Sequence, residues 1–397
     1  MRPDVPTTLP RRARLAVALT FAANGSVFGS WAPRVPEVKA ALDLSDGMLG
    51  LALLAPGAGS LLTLPLAGGV AARWGSGRTT RWALVTFFLA SLPIAWVAAS
   101  GGGVAALFGA LLLFGATMGA LDVLMNAQGI TVEQAYGRSV LSSFHAVFSL
   151  GALGGTLVGS LAAAQHVPLL WQFVVLGASW LAVVLPLSAA FLPDPPVPDD
   201  APRPPVFAVP RGPLIPLAVA AFAVLLAEGS TADWSAVLLR DSFDAGPAAA
   251  GAAFAAFSAT MTLGRLVGDR VLTHLGRRRA VRSFAGSGAA GLAAGLLVAE
   301  LAGPPVAVPA AVVGFLLLGA GISITFPALL AEAGVTGPRA APALAAVSSG
   351  GYVGFLVGPT VIGGLAELTS LEVAIWFVVA MTLLPVVLVR NRPPGAG

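Results

Sequence analysis

Few residues in this sequence can do chemistry. The 397 residues hold no Cys and three scattered His. Disulfides, thiolate catalysis and Cys-ligated metal are thereby excluded, and the His lack the spacing of a zinc site. No G-x-x-x-x-G-K-[ST] run is present, which argues against a built-in ATP motor. What remains is a set of polar side chains inside long apolar runs, among them Asn24, Asp122, Asn126, His145, Glu228 and Arg265. A charge at mid-bilayer costs about 2.5–3.5 kcal/mol on insertion scales, so such a group needs an internal partner or a water-filled cavity. Glu228, Asp122 and His145 are titratable, and a buried carboxyl can load and release a proton as its surroundings change. They are the candidates for proton coupling. The plain alternative for Glu228 is a structural carboxyl hydrogen-bonded across helices.

Spacing groups the rest. Asp122 and Asn126 lie one helical turn apart and share a face. His145 has Ser142 and Ser149 at i−3 and i+4. Both polar stripes suit a cavity wall, although interhelical hydrogen bonding explains them as well. Arg265 and Asp269 are also one turn apart, and an opposite-charge pair at that spacing neutralises itself. We expect a gating or structural ion pair there, not a solute ligand. Asn24, Trp31, Asn126, Ser349 and Tyr352 are the candidates for touching solute. For Trp31, Trp234 and Tyr352 the competing reading is an interfacial aromatic belt. Asp233 beside Trp234 suits an outer gate, and Arg34, Glu37 and Lys39 read as ordinary headgroup-level charges.

Positioning these residues falls to membrane helices. Hydrophobic residues make up 57% of the chain and charged residues 10%, against about 25% charged in soluble domains. A water-soluble enzyme and a disordered chain are both excluded. A hydrocarbon core about 30 Å thick needs roughly 20 apolar residues of helix. Twelve such runs occur, at about 14–35, 46–72, 79–99, 103–130, 139–163, 168–192, 214–239, 247–272, 281–301, 305–330, 340–366 and 371–390. They are continuous, not alternating, so a membrane barrel does not fit. The first run is long, holds Asn24 and has no A-x-A site, so it does not read as a cleaved signal peptide.

The basic residues set the orientation. With the N-terminus inside, eighteen Arg fall on the cytoplasmic side, and only Arg34, Lys39 and Arg240 fall outside. This asymmetry predicts that both termini are cytoplasmic. The basic balance is thus a topology signal, and a nucleic-acid partner loses its support. The bias toward Arg over Lys, with abundant Ala and Pro, hints at a GC-rich bacterial genome and hence a bacterial cytoplasmic membrane. Residues 193–213, PDPPVPDDAPRPPVFAVPRGP, read as an extended cytoplasmic linker. It divides the chain into six-helix bundles over 1–192 and 214–397.

The halves repeat each other. Asn24-Gly25-Ser26 corresponds to Glu228-Gly229-Ser230, and Gly115-Ala116 to Gly319-Ala320, each at an offset of 204. Trp31 matches Trp234, Ser142-Ser143 matches Ser348-Ser349, and the loop at Gly75 matches that at Gly276. Several matches at nearly one offset indicate duplication. Two parallel six-helix repeats suit a secondary transporter.

Together these features resemble the major facilitator superfamily over essentially the whole chain. Four segments resemble its MosC-like/YbjJ-like branch more narrowly. They are ANGSVFGSWAPRVPEV (23–38), DVLMNAQGITVEQ (122–134) with SSFHAVFSLG (142–151), AEGSTADWSAVLLRD (227–241), and GRLVGDR (264–270) with GYVGFLVGPTVIGG (351–364). The resemblance implies an all-α fold of two pseudo-symmetric six-helix bundles and transport by alternating access. Two departures stand out. Ala72 occupies the Asp position of the superfamily's G-x-x-x-D-R-x-G loop, and Thr156 and Ser160 interrupt an exporter-type G-x-x-x-G-P-x-x-G-G signature.

The expected function is secondary transport of a small polar or amphiphilic organic solute, coupled to protons, without cofactor or metal. The protein is expected to work as a monomer in contact with lipid. Drug or metabolite export by proton antiport, and uniport, are the alternatives within transport. A non-transporting receptor on the same fold is the alternative outside it, but no large soluble domain supports signalling. An enzyme acting on lipid lacks any nucleophile–base spacing.

Overall fold

The structure, a computed structural model, describes residues 8–137, 140–194, 209–336 and 340–389. Twelve of its helices are long and apolar enough to cross a membrane. The first six are Thr8–Trp31, Asp46–Trp74, Ser76–Ser100, Gly103–Tyr136, Leu141–Ala164 and Leu169–Leu187. The next six begin with Ile215–Val237, Ala252–Leu275, Arg277–Ala302 and Pro304–Ile322, the last continued past a break by Thr325–Thr336. Ala340–Leu368 and Leu371–Leu388 complete the set, numbered here as spans one to twelve. All twelve expected runs are helical. Span one extends further than expected through a 3-10 turn and a short helix, Val35–Ala41. Of the linker, residues 195–208 lie outside the described residues.

The chain forms two compact units. One comprises Met1–Arg34, Ala40–Leu42 and Ala55–Pro202; the other comprises Val35–Lys39, Asp43–Leu54 and Arg203–Gly397. The segments around Val35–Lys39 and Asp43–Leu54 therefore belong with the second unit, although they precede most of the first in sequence.

Within each unit the same devices recur. The tight turn between spans two and three is made at Gly75, with φ of +81°, and that between spans eight and nine at Gly276, with φ of +75°. A side chain is strained at such angles, so glycine sets where each long apolar run is interrupted. Span one packs on span five, and span seven on span eleven, through glycine. A Cβ added to Gly155 would stand 2.0 Å from the carbonyl oxygen of Ser26, and one added to Gly354 would stand 2.1 Å from that of Phe222. Spans two and four, and spans eight and ten, cross at the matched glycines Gly115 and Gly319. Their added Cβ atoms would meet the carbonyl oxygens of Pro56 at 1.9 Å and Phe257 at 2.4 Å. At both crossings a threonine hydroxyl donates to a backbone carbonyl of the other helix: Thr63 to Ala116 and Thr260 to Leu316, each at 2.8 Å. Small residues let backbones approach where lipid offers no hydrophobic drive. The face of Gly151, Gly155 and Gly159 is thus a packing face.

The basic ends of the two units are also tied at equivalent places. In the first, Gln128 near the end of span four donates to the Ser76 hydroxyl at 2.6 Å, and the Asp194 carboxylate accepts from the Ser76 amide and hydroxyl at the start of span three. In the second, Glu332 accepts from Arg278 at the start of span nine, from Nε at 2.9 Å and from Nη2 at 2.6 Å. One junction is closed by a neutral amide and a helix-capping carboxylate, the other by an ion pair.

Candidate functional site

The second unit carries an ion pair inside its spans. Glu228 lies at mid-length in span seven, where Ala227 and Gly229 on either side are buried. Its Oε1 is 3.2 Å from Nη2 of Arg265 on span eight, and its Oε2 is 3.4 Å from the same nitrogen. Glu228 is therefore not solitary, and Arg265 reaches across to a neighbouring helix. The side chain of Asp269, expected to be its partner, lies outside the described residues. The pair is open: the Arg265 side chain is 41% exposed and that of Glu228 25%. The basic-end pair of Arg278 with Glu332 is more enclosed, at 27% and 10%, and engages two guanidinium nitrogens. By contrast, a single nitrogen of Arg265 meets Glu228. Both of the Arg278 nitrogens donate to Oε1 of Glu332, and two charge-assisted hydrogen bonds at 2.9 and 2.6 Å hold more firmly than contacts of 3.2 and 3.4 Å from one nitrogen. Glu228–Arg265 is the weaker of the two and the more accessible.

Other residues of this unit sort differently from expectation. Asp233 is half-buried on span seven, and among the described residues no hydrogen bond or ion pair reaches its carboxyl. Trp234 is fully buried and donates its indole N–H to the Pro359 carbonyl at 3.1 Å, so it is a core residue and not part of an interfacial belt. Tyr352 is exposed on span eleven, and Ser349, one turn earlier, donates to the Ala345 carbonyl of its own helix at 2.8 Å. At the end of the unit away from Arg277–Arg279, Lys39 sits between two carboxylates, 2.7 Å from Asp46 and 2.5 Å from Asp241. Beside it, Glu367 accepts from the Gly47 amide at 2.9 Å. Lys39 thus has specific partners where a headgroup-level charge was expected.

The first unit presents its polar residues from spans one, four and five. Asn126 donates to the Asp122 carboxylate at 3.2 Å and to the Asp122 carbonyl at 2.8 Å, which holds the expected stripe together. Asp122 is exposed and Asn126 half-buried. His145 is exposed on span five, with its ring edge-on to Phe21 at 5.2 Å. Ser149 donates to the His145 carbonyl at 3.2 Å, and the Ser142 side chain lies outside the described residues. Asn24 is buried, with Nδ2 3.7 Å from the Met125 sulfur and no partner for Oδ1 among the described residues. Trp31 is buried too, so neither Trp31 nor Asn24 presents an open face in this conformation.

Arg34 corrects the sequence reading most clearly. It is 1% exposed and donates to the Gln172 side-chain oxygen at 3.0 Å and to the Val167 carbonyl at 2.9 Å. Gln172 in turn donates to the Ser30 carbonyl at 3.0 Å. Its partners come from the sixth span and the turn before it, so no local sequence pattern marked it as buried.

Comparison with known proteins follows the same architecture. A family model described as Major Facilitator Superfamily matches residues 15–341 and, again, 217–397. An uncharacterised MFS-type transporter of Yersinia pestis is 37% identical over 373 residues, covering 93% of each chain. Membrane protein MosC of Rhizobium meliloti is 30% identical over 367 residues, covering 92% of this chain and 86% of that one. Among solved structures, a variant of the nucleoside transporter NupG aligns with a TM-score of 0.72 at 15% identity, over 95% of this chain and 98% of that one. A bacterial homologue of the iron transporter ferroportin, in an inward-facing state, aligns at 0.71 and 15% identity, over 97% and 98%. At that identity the two structures speak for the fold alone.

Proposed function

Because the chain belongs to the major facilitator superfamily and is a membrane transporter, not an enzyme, we propose that it is a proton-coupled secondary transporter of a small polar or amphiphilic organic solute. It works by alternating access in the bacterial cytoplasmic membrane, as a monomer with both termini cytoplasmic. The observation that carries this reading is the open, single-nitrogen ion pair of Glu228 with Arg265 inside spans seven and eight. With Glu228 ionised the two charges offset each other. A proton on Glu228 removes that attraction and leaves the Arg265 charge uncompensated, so loading one proton changes the electrostatics of the site. Asp122, Asn126 and His145 take the role of cavity-lining groups in the first unit, and Ser349 and Tyr352 in the second. Asn24 and Trp31 contribute only once a conformational change opens them.

The test starts with a solute, found by a thermal-shift screen of purified protein against sugars, cyclitols, amino acids, organic acids and drug-like cations. Glu228→Gln then keeps the shape and most hydrogen bonding of the side chain but cannot titrate. In proteoliposomes it is expected to abolish accumulation driven by a pH gradient while sparing solute exchange without a gradient. Asp122→Asn is the control, impairing solute binding more than coupling. If Glu228→Gln still concentrates solute at the parental level, Glu228 is structural. Coupling then passes to Asp122, His145 or Asp233, or the protein is a uniporter.

A further inference from the structure

Arg265 has more binding capacity than Glu228 uses. A guanidinium offers five N–H donors in a flat fork that matches a carboxylate or phosphate through two parallel hydrogen bonds. Here one nitrogen, Nη2, meets both carboxylate oxygens at 3.2 and 3.4 Å, and among the described residues the structure gives Nη1 and Nε no partner. The side chain is also the more open member of the pair. Elsewhere in the chain a guanidinium is engaged through two nitrogens, since Arg278 donates to Oε1 of Glu332 from Nε and Nη2 at 2.9 and 2.6 Å. A guanidinium inside the spans that is half-engaged among the described residues, and reachable, is poised to exchange its carboxylate for another.

We infer that Arg265 is the receptor for an oxyanion group on the solute, a carboxylate or a phosphate, and that Glu228 holds that place when no solute is bound. The inference rests on the proton-coupled reading above and adds the substrate class. An arriving oxyanion takes the Arg265 fork and displaces Glu228. The displaced carboxylate, without its cation, takes up a proton, so one anion and one proton are carried together and the site's net charge is unchanged. Besides Glu332 of span ten, spans ten and eleven carry one charged residue among the described residues, Glu367 at the far end of span eleven, where it accepts from Gly47. Glu332 is held by Arg278, and Glu372 lies in the first turn of span twelve. Asp233 and Asp269 are the other carboxylates of spans seven and eight. The arginines of spans eight and nine besides Arg265 lie at the basic end.

The experiment measures binding to purified full-length protein by ligand-induced thermal shift at pH 5.5 and 7.5. Probes are gluconate, lactate and dimethyl phosphate, which stay ionised at both pH values, each set against a neutral and a cationic analogue of similar size. At least one oxyanion probe is expected to bind, and its affinity is expected to rise by up to about tenfold per unit fall in pH, the limit for one proton taken up with each anion. Arg265→Gln should weaken that probe roughly 100-fold. Glu228→Gln should bind it with no pH slope, because Arg265 is then permanently released. The double variant Glu228→Gln/Arg265→Gln removes both members of the pair and strands neither, so it controls for folding and should ignore every oxyanion. The inference is overturned if no oxyanion probe binds, or if Arg265→Gln or the folded double variant binds it like the parent. A pH slope that survives Glu228→Gln overturns it as well. The two readings fail separately. Gradient-driven uptake of a neutral solute that depends on Glu228 would keep proton coupling and discard the oxyanion receptor. Arg265-dependent anion binding without any pH slope would discard the coupling.

Discussion

Arg34 is one of the largest fully buried side chains of the molecule, and it donates to Gln172 and Val167. Replacing it by Met, of similar length, leaves the Gln172 oxygen and the Val167 carbonyl without their donor. The cost of a buried unsatisfied acceptor is about 1–3 kcal/mol. Arg34→Met is therefore expected to lower the melting temperature in detergent by several degrees and to leave any pH-driven coupling ratio unchanged. A variant that melts with the parent would show that water or lipid takes over those acceptors. The sequence could not reveal this residue. Arg34 lies beside Pro33 and near Glu37, which reads as an interfacial loop, while Gln172 and Val167, to which it donates, are 138 and 133 residues away. Arg265 shows the same limit from the other side. Periodicity offers the i+4 Asp269, whose side chain lies outside the described residues, but does not offer Glu228, which Arg265 meets 37 residues away on another helix. Residue types at mid-span were legible because their cost in lipid marks them. Which of them pair was not, because pairing depends on helix rotation and crossing, which hydropathy does not encode.

Helices and their seams read more faithfully than side-chain partners. Twelve apolar runs became twelve long helices, since run length against bilayer thickness is a strong and local signal. The G-x-x-x-G-x-x-x-G face of span five was equally legible, because spacing by four puts the small residues on one side. Adjacent residues of that helix give a sharp test. A Cβ on Gly155 would stand 2.0 Å from the Ser26 carbonyl oxygen, whereas one on Gly154 would meet nothing within 4 Å. Gly155→Ala should force spans one and five apart and sharply reduce the yield of folded protein. Gly154→Ala should be neutral or slightly stabilising, because Ala is favoured over Gly in helices by roughly 1 kcal/mol. Fluorescence-detected size exclusion of tagged variants checks both. Equal yields would mean that the two helices are not held at backbone contact.

At the scale of the whole chain, the arginine asymmetry makes a prediction about sidedness. A C-terminal alkaline phosphatase fusion, active only in the periplasm, is expected to be silent, and a C-terminal fluorescent fusion to be bright. The opposite pattern would invert every span. The duplication was visible in the sequence as a few matched residues, but its physical content emerges only from the packing. At Gly151 and Gly358, opposite the carbonyl oxygens of Ala22 and Leu226, and again at Gly115 and Gly319, the matched feature is a missing side chain. At the matched positions of Asn24 and Glu228, by contrast, one copy carries a neutral amide and the other a carboxylate that forms an ion pair. The two copies have kept the same omissions while exchanging what they contain. Ancestry in such a chain is stored as an imprint, a mould of hollows. A search for distant copies of this half-molecule would do better to score where bulk is forbidden than which groups are present.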